Sequence, residues 1–160
     1  MAQDIFLKIN GITGESPDNQ HKDEIEVLSW HWEILQDSTM HSGSGGGAGK
    51  ATVKDLVFVH NIDRASPNLM KYSLTGQHVD QAVLTMRKAG GHPLEYLTIT
   101  MKDVLITGVH PTGNNSDTSS PEQVTLSFAS VTQEYTVQNA QGGSSGTVTA
   151  SYDIKGNKES

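Results

Sequence analysis

The sequence has no cysteine, which excludes disulfides, thiolate nucleophiles and cysteine-ligated zinc and leaves the redox compartment open. It has no long apolar run either. The opening MAQDIFLKIN meets Asp4 and Lys8 at once, and no later stretch is apolar enough for a spanning helix. The expectation is a soluble cytosolic chain without a standard export signal, so that any exit from the cell requires a dedicated machine. Basic residues are few, 11 Lys and Arg against 18 Asp and Glu, giving a formal charge of −7. They are also scattered, and without a basic patch to neutralise phosphates a general nucleic-acid binder is excluded. Helical periodicity is scarce and no internal repeat is present. At 160 residues the simplest organisation is a single domain over 1–160.

What the sequence does have is period-two alternation, the pattern of strands with one buried face. In Ile25 to Gln36, IEVLSWHWEILQ, the residues Leu28, Trp30, Trp32 and Ile34 form one apolar row, with Ser29, His31 and Glu33 on the other side. The tryptophans therefore read as core. Ala51 to Asn61 reads as a second long strand, and others are expected at Ile5 to Ile9, Gln81 to Lys88, Leu94 to Val109, Gln123 to Val137 and Thr147 to Ile154. About seven strands suit a sandwich or a barrel. The strand from Gln123 carries Val124, Leu126 and Phe128 on one parity and Ala129, Val131, Tyr135 and Val137 on the other. A bulge, a bend or a second buried face is expected near Phe128 to Ser130. One helix is predicted at about 67–75, with Ser66 as N-cap, Pro67 at its first position, Leu69, Met70 and Leu74 as a narrow apolar stripe, and Gly76 as its stop. Polar turns are expected at Ala89 to Pro93, Thr112 to Pro121 and Gln141 to Gly146.

Three motifs suggest chemistry. HSGSGGGAGKAT, His41 to Thr52, has the glycine pattern of a phosphate-binding loop, but Ser44 stands where Walker A requires glycine and Ala51 where it requires Ser or Thr. A strand follows it, whereas phosphate binding needs a helix N-terminus there. A loop joining two strands is the better reading. Gly142 to Gly146 matches the nucleophile pattern G-x-S-x-G, again with a strand where a helix is required. The seven histidines show no i, i+2 or i, i+4 pair, so they read as dispersed loop and surface residues, and no carboxylate pair is singled out for acid–base work. No catalytic, cofactor-binding or metal-ligating residue is assigned, and no cofactor is expected. An alternative use of the Trp30/Trp32 strand is ligand stacking in a monomeric β-barrel binding module.

Six segments in order, MAQDIFLKINGITGES, HKDEIEVLSWHW, SGSGGGAGKATVKDLVFVHNID, SPNLMKYSLTGQH, LTMRKAGGHPLEYLTITMKDVLIT and VTLSFASVTQEY, resemble the haemolysin-coregulated protein family, Hcp, of bacterial type VI secretion systems. The resemblance runs over nearly the whole chain. It implies a mainly β fold: an antiparallel β-barrel of two sheets, one short flanking helix and an extended loop at about 40–52. It implies a structural, non-enzymatic subunit of the secretion tube, six copies of which close into a ring. Rings stack inside a contractile sheath beneath a valine-glycine repeat spike, and carry small effector proteins. Such a subunit is cytoplasmic before firing and secreted afterwards, without membrane insertion. With Ser160 soon after the last expected strand, the expectation is that no catalytic domain is fused. Carried over by position, Ser42, Gly43, Ser44, Gly45, Gly46, Gly47, Ala48, Gly49 and Lys50 become a ring-stacking loop. Ser29, His31 and Glu33 become candidates to face the channel and its cargo.

Overall fold

The structure, a computed structural model, describes residues 3–38, 49–90 and 93–160. Its elements run in the order β1 (Gln3–Ile9), β2 (Ile25–Glu26), β3 (Ser29–His31), β4 (Ile34–Leu35), β5 (Thr52–Val53), β6 (Leu56–Asn61), α1 (Ser66–Thr75), β7 (Val79–Lys88), β8 (Leu94–Pro111), β9 (Pro121–Gln138), β10 (Ser144–Asp153) and β11 (Lys158–Glu159). All strand pairings are antiparallel. The strands β8 and β9 have 18 residues each, about 60 Å of extended chain, and they organise everything else.

Two strand sets share these long strands. One half of β8 and β9 joins β10, β7 and β1; the other half joins β6, which in turn pairs with β3. The change falls where the alternation of β9 breaks. Leu126 is the last residue paired with β6, at Leu56, and Ser130 is the first paired with β10, at Asp153. Between them the carbonyl of Ala129 accepts the N–H groups of Ile154 and Lys155. The buried parity switches on the same line in three neighbouring strands. Met101 sits between Ala82 and Val131, whereas three residues on, Val104 sits between Val79 and Phe128. Asp103 lies on that line at φ 53, a left-handed conformation that Asp tolerates better than a branched residue does.

The predicted single strand over Ile25 to Gln36 is broken into three short pieces. Ile25 and Glu26 pair with β1, and Val27 still donates its N–H to Ile5; Leu28 donates instead to Val59, and Ser29 to His31 pair with β6. This corner joins the two strand sets, so the ladder bends here and does not run as one closed barrel. The corner also breaks the expected apolar row. Trp30 and Trp32 pack on the core, but Leu28 and Ile34 are more than half exposed, while Ile25 and Val27 of the opposite parity are buried. Ala51 to Asn61 likewise divides into β5 and β6 around Lys54–Asp55.

The core gathers Leu7, Ile25, Leu56, Phe58, Leu84, Met101, Ile106 and Leu126, all fully buried, with Leu69 from α1. The helix starts at Ser66, one residue before the expected Pro67, and stops as expected at Gly76, which takes φ 69 while its N–H bonds to the carbonyl of Tyr72. Its N-terminus is built differently from the expectation. Ser66 does not cap. The preceding Ala65 is already helical, and Asp63 accepts the N–H of Ala65 through Oδ1 while the Ser66 hydroxyl accepts the N–H of Asp63. That reciprocal pair differs from a capping box in that Asp63 accepts the N–H two residues on and not three. The apolar stripe is also narrower than expected: Leu69 is buried, but Met70 and Leu74 are exposed.

The loop between β1 and β2 folds back through backbone bonds from Gly14 to Asp23, Ser16 to Glu24 and Asp23 to Ser16. Gly14 is required there, since a Cβ would stand 2.5 Å from the carbonyl oxygen of Glu24. Arg87 ties this loop down by bonding both oxygens of Asp18 and also Asp4, with its guanidinium over the Phe6 ring. Hydrogen bonding to Arg87 holds the Asp18 carboxyl well below the usual carboxylate range.

Candidate functional site

Three surfaces and one buried cluster stand out. The first surface is the outer face of the β3–β6–β9–β8 sheet. The register places Ser29, Val59, Gln123 and His110 in one row and His31, Val57, Thr125 and Gly108 in the next. Ser29 and His31 are exposed, as are Gln123 and His110, so this face is largely polar. Glu33 is exposed beyond the end of β3; its carbonyl accepts the Lys54 N–H, and with His31, Lys54 and Asp55 it lines a shallow depression. Both indole N–H groups are used internally, Trp32 to the carbonyl of Lys54 and Trp30 to the sulfur of Met86. The tryptophans therefore brace the core side of this sheet and do not form an open stacking platform.

The second region is the base of the glycine-rich loop. Ser42 to Ala48 lie outside the described residues. Gly49 and Lys50 are exposed, and Gly49 donates its N–H to the carbonyl of Asp37. Ile34 pairs with Val53 and Leu35 with Thr52, so both ends of the segment are fastened to a two-stranded ribbon. The successor element is β5, confirming a strand and not a helix after Lys50. Likewise Gly142 to Gly146 runs into β10, so Ser144 is not on a strand-to-helix elbow. The turn expected at Ala89 to Pro93 includes Gly91 and His92, which are also outside the described residues.

The third surface is an apolar row that runs out to an open edge. Ile5 pairs with Met86, Met86 with Leu97, Leu97 with Tyr135 and Tyr135 with Val148. Directly paired residues share one face. Cover falls away along the row, from 9% exposure at Met86 to 43% at Tyr135 and 65% at Val148. Beyond Val148 the β10 strand has no neighbour among the described residues, because β11 pairs only with Tyr152 and Asp153. Its sequence from Ser144 to Ser151, SSGTVTAS, has neither charge nor proline, which are common protections of a free edge; its bulge is confined to the Ser144–Thr147 end.

The buried cluster was not legible as a site, because Glu122, its central acceptor, lies 62 residues from His60. His60, at the end of β6, is fully buried; its Nε2 lies 2.8 Å from Oε1 of Glu122, which also accepts the Ser66 hydroxyl at 2.9 Å. His60 Nδ1 faces Asp63 Oδ2 at 3.6 Å, too long for a hydrogen bond but close enough for charge attraction. His21 is buried as well, stacked on Phe6 with centroids 4.3 Å apart and held between Glu24 and Glu95. The expectation of dispersed surface histidines is corrected for these two. A signal was available: each has a carboxylate three residues later, His21–Glu24 and His60–Asp63. Among the described residues no group of three His, Asp or Glu side chains is arranged to hold a metal ion, and no helix is long and apolar enough to cross a membrane.

Comparison with known proteins gives these surfaces a context. The family model described as "Type VI secretion system effector, Hcp" matches residues 6–135. The chain is 45% identical over 147 residues, 91% of each protein, to the protein hcp1 of Pseudomonas aeruginosa. It is 55% identical to Hcp1 from Salmonella typhimurium, whose crystal structure superposes over the full length of both chains with a TM-score of 0.83. A type VI secretion system effector from Yersinia pestis is 43% identical, with 94% of this chain and 99% of that one covered at a TM-score of 0.78.

Proposed function

The chain belongs to the Hcp family of type VI secretion proteins, and on that basis we propose that it is a non-enzymatic tube subunit, one domain over 1–160, that assembles as a hexameric ring. The observation that carries this reading is the row from Met86 through Leu97 and Tyr135 to Val148, ending on the unprotected β10 edge. Apolar side chains this exposed, beside free backbone donors and acceptors, favour cover by another subunit. A second copy supplies it if its contacting surface is a different one, since a ring needs heterologous contacts that close.

Val148→Lys is the direct test. A lysine there puts a charge into the proposed contact while the fold, which leaves Val148 exposed, is spared. Native mass spectrometry is expected to find rings for the unmodified protein and monomers for the variant. Rings of unchanged size and stability in the variant would place the interface elsewhere.

Stacking of rings is assigned to Ser42 to Lys50. The ribbon that fastens both ends of this segment supports a loop that can be shortened without disturbing the core, since loop length costs little closure entropy. Removing Gly43 to Gly47 is expected to leave single rings intact and to shorten tubes, as counted by negative-stain microscopy. Tubes of normal length would end the assignment.

The polar outer face with Ser29, His31, Gln123 and His110 suits a channel wall that contacts small effector proteins loosely, and Glu33 extends it. Export with the tube, beneath a valine-glycine repeat spike and within a contractile sheath, completes the reading: cytoplasmic before firing and secreted after it.

A further inference from the structure

We propose that His60, Glu122, Asp63 and Ser66 form a proton-dependent clasp that fastens helix α1 to the β-core, and that loss of the imidazolium proton loosens α1 while the sheets stay intact. The four residues come from four places: the end of β6, the start of β9, the cap of α1 and its first turn. The Glu122 and Asp63 side chains are 3% and 13% exposed. Neither carboxylate has a Lys or Arg partner among the described residues; His60 is the group placed to pair with both.

A neutral imidazole has one N–H. With Nε2–H donated to Glu122, its Nδ1 lone pair would face the Asp63 carboxylate, and one buried and one partly buried anion would be left without a cation. The imidazolium presents positive charge to both. The groups facing His60 are Glu122 from β9, Asp63 from the turn, the uncharged Ser66 from α1 and the Phe58 ring at 5.6 Å. Arg64, next to Asp63, is exposed, and its backbone N–H is donated to Glu15 in the β1–β2 loop.

The clasp bears on α1 because the helix packs on the core through few side chains. Leu69 is its one fully buried residue, Tyr72 is partly buried against the core, and Met70 and Leu74 are open to solvent. Glu122 holds Ser66, and Asp63 holds the Ala65 N–H that opens the helix. The same helix walls an apolar groove with Ile62, Val109 and Pro111, so its release would reshape that surface.

The direction of the pH effect follows from the balance at His60. Burial pulls its pKa down, but the hydrogen bond with Glu122 and the nearby charges of Asp63 and Glu122 outweigh burial, and the net shift is upward from the ordinary 6.5. A raised folded-state value means that the contribution is complete below 6.5 and fades as pH rises through the folded value.

Hydrogen exchange of the full chain from about pH 6 to about pH 9, with rates corrected for intrinsic exchange, reads the clasp directly. Peptides covering 64–77 are expected to lose protection roughly tenfold for each pKa unit of raised affinity, while peptides from β8 and β9 hold theirs. In His60→Gln, which has no titrating ring, the α1 profile is expected to be flat. A flat profile in the unmodified protein, or loss in step with β8 and β9, would overturn the proposal, and this arm needs no variant to fold.

Discussion

Phe58→Ala is expected to lower the unfolding free energy by about 3–5 kcal/mol, the range for emptying a buried aromatic site. The ring is fully buried, and its residue is paired with Trp30 on one side and Val124 on the other, in the strand that links β3 to β9. Neighbours held by two ladders cannot collapse freely into the void, so the cavity penalty adds to the lost transfer energy. Against a typical domain stability of about 5–15 kcal/mol this is a large fraction. Urea titration at fixed protomer concentration should show a lower midpoint with an unchanged slope. A shift worth less than about 1 kcal/mol would mean that Phe58 is not at the packing centre.

Glu122→Ala is expected to cost a similar amount, about 3–5 kcal/mol, for an electrostatic reason. It removes the acceptor of both His60 Nε2–H and the Ser66 hydroxyl and leaves the His60 ring without that partner in a fully buried site. Glu122→Gln keeps an acceptor oxygen of similar shape and should lose less. The two variants separate charge from packing: equal losses in urea titration would indicate that the negative charge carries the whole effect and that shape and a neutral acceptor carry none.

Local signals carried much of the fold. Alternation placed long strands at Leu94 to Val109 and Gln123 to Val137, within the observed Leu94–Pro111 and Pro121–Gln138, because a half-covered strand must alternate whatever its partner. The parity conflict near Phe128 to Ser130 was a true mark of the place where β9 exchanges β6 for β10. Gly76 ended the helix because a left-handed residue is a local requirement. The readings that failed depended on partners. Leu28 and Ile34 looked buried because alternation was extended through a corner at which the chain changes neighbours. Ser66 looked like a cap, but its hydroxyl is drawn to Glu122, 56 residues away.

The candidate surfaces divide in the same way. Ser29 and His31 were placed correctly on one outward face because sidedness within a short strand is a period-two property. That Gln123 and His110 share the row with Ser29 depends on register across three ladders.

The sequence by itself determined the β class, the absence of cysteine chemistry, the helix and its stop, the strand after Lys50 that removes a phosphate loop, and the Hcp resemblance. Each rests on neighbours within a few residues or on an ordered series of segments. Only the tertiary structure decided that Val148 ends a row uncovered among the described residues, that the chain changes partner from β1 to β6 at Val27–Leu28, and that His60 lies between Glu122 and Asp63. Those outcomes depend on which strands meet and in what register, and a hydrogen bond between residues 62 positions apart, as at His60 and Glu122, leaves no period in the chain to reveal it.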